Sequence, residues 1–291
     1  MGIIVDENTR AIVQGATGKQ GSFHMKLMQD YGTRIVAGVT PGEGGTEVES
    51  IPIYSTVKEA TERHAANASI LFVPAQSAAD AAHEALGNNI KTVIIIAEYI
   101  PIRDSIGIMS HSQLVNATII GPNTPGIITP GKCKLGIMPA NIFTRGNVGV
   151  VSRSGTLTYE IATGLTRNNL GQSTCLGIGG DPVVGINFIE ALELFESDSQ
   201  TKAVVLIGEI GGNLEERTAE FISNSKYSKP VVAYIAGRSA PTEKRMGHAG
   251  AIVMGKTGSA RSKLEALERA GVKVAKKPND VAPLVAEVLG K

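Results

Sequence analysis

The sequence predicts an α/β protein built from two doubly wound parallel-sheet domains. Three observations carry this expectation. Short β-branched runs alternate with helical segments of ten or more residues, the signature of βαβ units. The alternation stops once, in the Pro- and Gly-rich stretch 121–147, and then resumes. Glycine, 34 in 291 residues against a usual share of roughly 7%, follows no collagen-like period and so marks turns.

Taken in order, strands are expected at 10–14, 35–39, 70–73, 93–96 and 118–120, with helices at 20–31, 57–66, 78–86 and 103–115 between them. Segment 126–146 reads as a linker with local turns. Further strands are expected at 148–151, 174–177, 203–208, 231–235, 251–254 and 272–275. The domains are therefore placed at 1–125 and 147–291. No short repeat relates them, so their kinship is architectural.

Composition excludes several classes. A formal charge of +1, from 28 Lys plus Arg against 27 Asp plus Glu, offers no electrostatic footprint for nucleic acid or an anionic membrane. Aromatic residues make up only 4%, with no Trp, which argues against base-stacking platforms. Cys133 and Cys175 form no CxxC and no metal spacing, so reduced thiols, no metal and an intracellular setting are expected. The N-terminal stretch has neither a basic, apolar-cored leader nor an Arg-rich presequence, and the longest apolar run, 93–97, falls far short of the roughly 20 residues that span a bilayer. A cytoplasmic protein is the expectation.

The first motif, Gly15-Ala16-Thr17-Gly18-Lys19-Gln20-Gly21, sits at the first strand-to-helix turn. Glycines let backbone approach a phosphate, and the free N–H groups of the helix start supply donors. The spacing is G-x-x-G-x-x-G, not the dinucleotide G-x-G-x-x-G, and the second strand ends Gly38-Val39-Thr40-Pro41 without the acid that a ribose needs. A nucleotide-like ligand other than NAD is favoured. The loop from Thr40 to Gly45, which carries Glu43, lies at the same carboxyl edge.

Gly250 to Thr257 matches the P-loop expression G-x-x-x-x-G-K-[ST], yet its middle residues are apolar and read as the strand itself, so phosphate binding there is not expected. The neighbouring His248 lies in Arg245-Met246-Gly247-His248-Ala249-Gly250, a setting without bulky shielding. Glu209 ends a strand ahead of Gly211-Gly212, where a carboxylate can hold one imidazole nitrogen and leave the other as nucleophile, or simply cap the next helix. The turn Ser154-Gly155-Thr156, followed by Tyr159, makes a second anion site at a helix start.

Together GATGKQG, GVTPGEGG, GPNTPG, GIMP, VSRSGTLTYE, GQSTCLGIGGDPV, IGEIGG and KRMGHAGAI resemble the α subunits of succinate–CoA ligase over nearly the whole chain. The resemblance implies an N-terminal Rossmann-like domain that binds CoA, then a flavodoxin-like domain bearing a transiently phosphorylated histidine. It implies that Thr17, Gly18, Lys19 and Gln20 hold the CoA phosphates, with Ile96, Ala97 and Glu98 near the adenine end. His248 would be the phosphorylated nucleophile and Glu209 its orienting carboxylate. Tyr159 would lie at the succinate and phosphate site, and Ser154, Gly155 and Thr156 would stabilise the phosphohistidine. An ATP-grasp β subunit, in an αβ or α2β2 assembly, would bring ATP or GTP with Mg.

The motifs report CoA and phosphohistidine more directly than the acyl group, so malate stands beside succinate as a substrate. A CoA- or nucleotide-binding protein without catalysis is the other class, and the presence of both His248 and Glu209 speaks against it. Two departures from the family pattern matter: Glu43 stands where many members have Lys, and Thr124 where many have Cys. An anion near CoA phosphates repels them unless a cation compensates, and Lys19 is the expected source.

Overall fold

The computed structural model describes residues 2–225, 227–238, 247–248, 250–253 and 258–291. The first domain runs β1 (Arg10–Gln14), α1 (Lys19–Asp30), β2 (Arg34–Val39), β3 (Glu47–Val48), β4 (Ile51–Tyr54), α2 (Val57–Arg63), β5 (Ala68–Leu71), α3 (Ala75–Gly87), β6 (Thr92–Ile95), α4 (Ile102–Leu114) and β7 (Thr118–Ile120). Among the described residues these strands form one sheet in the order β3-β4-β2-β1-β5-β6-β7, parallel apart from the β3–β4 pair. Strand order reverses between β1 and β5. Open α/β sheets bind ligands at such a switch point, outside the carboxyl ends.

The second domain runs β8 (Gly126–Thr129), β9 (Cys133–Gly136), β10 (Arg145–Ser152), α5 (Gly155–Arg167), β11 (Gln172–Gly177), α6 (Phe188–Ser197), β12 (Ala203–Glu209), α7 (Leu214–Asn224), β13 (Val231–Ala236), α8 (Ala260–Arg269), β14 (Lys273–Val274) and α9 (Val281–Val288). Its order is β14-β13-β12-β10-β11-β8-β9, so its switch point lies between β10 and β12. Central strands are buried on both faces, which is why β1, β5 and β12 read as near-continuous apolar runs, whereas β11, buried throughout, carries Gln172, Ser173 and Thr174. Cys133 and Cys175 are both buried and free. Burial pushes the Cys133 thiol up to about 11 and raises Cys175 as well. No helix among the described residues is long and apolar enough to cross a membrane.

Two expectations differ from the structure. Part of the stretch read as a linker folds as the β8–β9 hairpin, which joins the second sheet antiparallel to β11, with Ile127, Ile128 and Leu135 fully buried. Its strands are four residues long and interrupted by glycine, too short for a periodic signal. The stretch 251–253 is not a strand. β13 already has β14 at its free edge, and Ala251 and Val253 are buried in a turn in which Ala251 N donates to the His248 carbonyl at 3.1 Å. Met254, the rest of the P-loop-like run (Gly255, Lys256, Thr257) and Arg245, Met246 and Ala249 lie outside the described residues.

Helix α1 packs so close to the first turn that a Cβ on Gly21 would stand 2.0 Å from the Gly15 carbonyl oxygen. Gly21→Ala should therefore strain the turn and cost about 1–3 kcal/mol. Urea unfolding should show an earlier midpoint at unchanged slope. An unchanged midpoint would contradict the close approach.

Candidate active site

The first carboxyl edge carries a cleft of about 660 Å³ at the switch point, lined by Gly15, Thr17 and Gly18 after β1, Thr40 after β2, and Phe72 and Pro74 after β5. Gly15 adopts φ +76° and donates to the Val39 carbonyl at 2.8 Å, which bends the chain away from the sheet. Gly18 is the N-cap of α1 and contributes no side chain, and the first turn of the helix has no acid. Its N–H groups are thus left for an anion. Thr17 is tied to Thr40 through a hydroxyl pair at 3.2 Å. Lys19 and Gln20 begin the helix and are exposed, as is Glu43 in the adjoining loop.

Ile96, Ala97 and Glu98 follow β6 and stand apart from the cleft lining, on the side toward the second domain. There the Asn123 N–H donates to the Ala97 carbonyl at 2.8 Å, and the Asn123 amide donates to Asp181 at 3.0 Å. Burial raises the Asp181 carboxyl, and the charge of Glu98 raises it further against the Asn123 bond. Thr124 is buried. Its hydroxyl donates to the Gly177 carbonyl at 2.6 Å and accepts from the Gly126 N–H at 2.9 Å, so Thr124 joins the two domains' loops.

The second edge carries the histidine. Glu209, the last residue of β12, is 7% exposed, and both its oxygens lie 2.9 Å from His248 Nδ1. The imidazole rests on Gly180, where a Cβ would come within 2.4 Å of the ring. The Glu209 bond lifts His248 above its ordinary value of 6.5, aided by the charges of Glu209 and Asp181 and opposed by burial and by Arg153. Nδ1 is the nitrogen engaged, so the proton resides there in the neutral ring and Nε2 keeps a lone pair.

Ser154, Gly155 and Thr156 stand at the same edge, after β10, the strand beside β12. Ser154 caps α5 by accepting from the Leu157 N–H at 3.3 Å, so its hydroxyl has a structural role as well. Tyr159 is half-buried on α5, and burial pushes its phenol up to about 12. Beside the pair opens a cavity of about 790 Å³, lined by Arg153, Asp181, Asn213, Arg217 and Gly250 among others. Sequence reasoning missed Asp181, Asn123 and Arg153. Each sits inside a stretch already singled out, GGDP, GPN and VSRSG, and only the third dimension joins them. The described residues include no cluster of three or more His, Cys, Asp or Glu that could hold a metal ion.

One sheet edge thus offers a helix start open to the phosphate of a nucleotide-like ligand, and the other a histidine held by a carboxylate with one ring nitrogen left for chemistry. The comparisons agree: residues 6–99 match the model of a CoA binding domain and residues 151–273 that of CoA-ligase. The α subunit 2 of ADP-forming succinate–CoA ligase from Archaeoglobus fulgidus is 59% identical over 289 residues, covering 99% of this chain and all of the relative, 100%. The α subunit of the same enzyme from Methanothermobacter thermautotrophicus is 58% identical over 288 residues, covering 99% and 97%. Among solved structures, ATP citrate lyase from Methanothrix soehngenii in complex with citrate and coenzyme A superposes with TM-score 0.88 at 26% identity, covering 98% of this chain and 50% of that one. The chain belongs to the family of succinate–CoA ligase α subunits.

Titrating the protein by NMR should place the His248 midpoint above roughly 6.5. In Glu209→Gln the bond to an anion is lost while burial remains, so the midpoint should fall. A midpoint that stayed in place would remove Glu209 as its cause.

Proposed function

We propose that the chain is the α subunit of an ADP-forming succinate–CoA ligase that makes succinyl-CoA reversibly through phosphorylated His248. The observation that carries the reading is the His248–Glu209 pair at the switch point of the second sheet. With Nδ1–H directed at Glu209, Nε2 attacks the γ-phosphorus of ATP and ADP departs. The phosphoryl group then passes from Nε2 to a succinate carboxylate oxygen. The CoA thiol attacks the resulting acyl carbon, losing its proton, and phosphate leaves. An N–P bond is energetic enough to form an acyl phosphate, which suits histidine to the carrier's role.

The naming of relatives as α subunits supports a β partner, for which we infer an ATP-grasp fold, Mg-bound nucleotide, and an αβ or α2β2 assembly in the cytoplasm. Residues 1–125 are the proposed CoA unit and 147–291 the core of the ligase unit, whose sheet the β8–β9 hairpin of 126–146 extends. Within the first, Thr17, Gly18, Lys19 and Gln20 would hold the CoA phosphates. The position of Ile96, Ala97 and Glu98 toward Asp181 suits the thiol-bearing arm better than the adenine, because the thiol has to reach the histidine edge. Ser154, Gly155, Thr156 and Tyr159 would meet the phosphoryl group and succinate.

Incubated with its β partner and γ-labelled ATP, the chain should take up acid-labile, alkali-stable phosphate, and His248→Ala should take up none. Labelling of the alanine variant would contradict the mechanism. Discharge of the label by succinate but not malate fixes the acyl substrate, and the reverse would replace succinate. Lys19→Ser should raise the KM for CoA about tenfold, equivalent to about 1.4 kcal/mol, with the KM for ATP unchanged. An unchanged KM for CoA would reject Lys19 as the cation that offsets Glu43.

A further inference from the structure

The Glu209 carboxylate is not free to choose its position. Arg153, 3% exposed, leaves β10 at the switch point, and its Nη2 lies 3.5 Å from Glu209 Oε1, the oxygen that also meets His248. Arg153 Nη1 donates to Glu215 at 3.1 Å and to the Gly211 carbonyl at 3.1 Å. Glu215, fully buried in the first turn of α7, accepts the Glu209 backbone N–H at 3.1 Å and pairs on its other oxygen with Lys263 of α8. Lys263 is fully buried too, and donates to the carbonyls of Gly211 at 3.0 Å and Gly212 at 3.2 Å and to Glu216 at 3.2 Å.

Four buried charges of alternating sign thus run from α8 to the histidine: Lys263, Glu215, Arg153, Glu209. Burial works against the Glu215 charge, but Arg153 and Lys263 outweigh it and hold that carboxyl below its ordinary value. A chain of ions sunk this deep is poor evidence of stability, since apolar side chains of the same size would pack there at less cost. It does fix geometry. Arg153 grips both the end of β12 and Gly211, whose φ of +93° brings it against the Gly250 backbone, two residues beyond His248. Among the described residues the charged groups that face His248 are Glu209, Arg153 and Asp181, and Arg153 is the cation of the three.

We propose that Arg153, backed by Glu215 and Lys263, is a positioning residue of the phosphoryl transfer: it clamps Glu209 against His248 Nδ1 and offsets the anionic field there, so that His248 meets the phosphoryl donor as a neutral ring with Nε2 free. The inference rests on the phosphohistidine reading given above. Without Arg153, burial alone opposes Glu209 and Asp181, and they hold more of the ring as imidazolium, which has no lone pair to attack with.

The test is the pH dependence of His248 labelling from γ-labelled ATP in the assembled complex with the β partner. Arg153→Gln should move the acid limb about one pH unit upward, a roughly tenfold slower rate on that limb, with the KM for ATP and CoA retained. Arg153→Lys, which restores the charge, should return the limb toward that of the unsubstituted enzyme. Glu215→Gln removes an anion behind Arg153 and should move the limb the other way, to lower pH. Opposite shifts are what a merely structural role would not produce. An Arg153→Gln limb that stayed in place, or shifts of the same sign in Arg153→Gln and Glu215→Gln, would overturn the proposal. If Arg153→Gln does not assemble, Glu215→Gln decides: a lowered limb supports the proposal and an unmoved one overturns it. Failure of the unsubstituted chain to label on His248 would instead remove the underlying reading.

Discussion

Glu209 meets His248 through both carboxylate oxygens at 2.9 Å, and that bond decides which ring nitrogen can do chemistry. It depends on features spread over the second domain. The crossover between β10 and β12 opens the crevice, β12 ends on the carboxylate, and Gly180 leaves the room that the imidazole occupies. Arg153 enters from the strand next door. The pair is therefore a product of sheet topology as much as of side-chain chemistry, and it stands where open α/β sheets put their ligands.

The two sheets bring their carboxyl edges together. Asn123 bonds the backbone after β6 on one side and Asp181 on the other, while Thr124 joins the loop after β7 to the end of β11. Gly185 and Ile186 continue the seam through bonds to Gly121 and Ile119. The start of α1 leaves helix N–H groups at the carboxyl edge of the first sheet, donors that a near-neutral chain can offer an anion without a basic patch.

Much of this was legible in the sequence, and the exceptions share a cause. β1 and β7 fall where the apolar runs place them, because strands buried on both faces leave an unmistakable signal. The β8–β9 hairpin hid among Pro and Gly, since its four-residue strands are too brief for any period to show. The stretch 251–253 has strand composition, but β13 before it is already paired on both sides, by β12 and β14, a fact of topology that no local pattern carries. Glu209 and His248 could be named from their glycine settings, yet nothing in one dimension pairs residues 39 positions apart, and the buried line from Lys263 to Arg153 spans still more chain. Thr124 sits in a motif, GPNTPG, that stood out in the sequence, yet its hydroxyl bonds to Gly177 and Gly126 could not be read there.

The central claim is that Glu209 owns Nδ1 and leaves Nε2 for the phosphoryl group. Correlating ¹⁵N and ³¹P signals of the labelled, phosphorylated protein identifies the nitrogen that bears phosphorus. Phosphorus coupled to Nε2 of His248 is the result this account requires. Phosphorus on Nδ1, or on another residue, would contradict it.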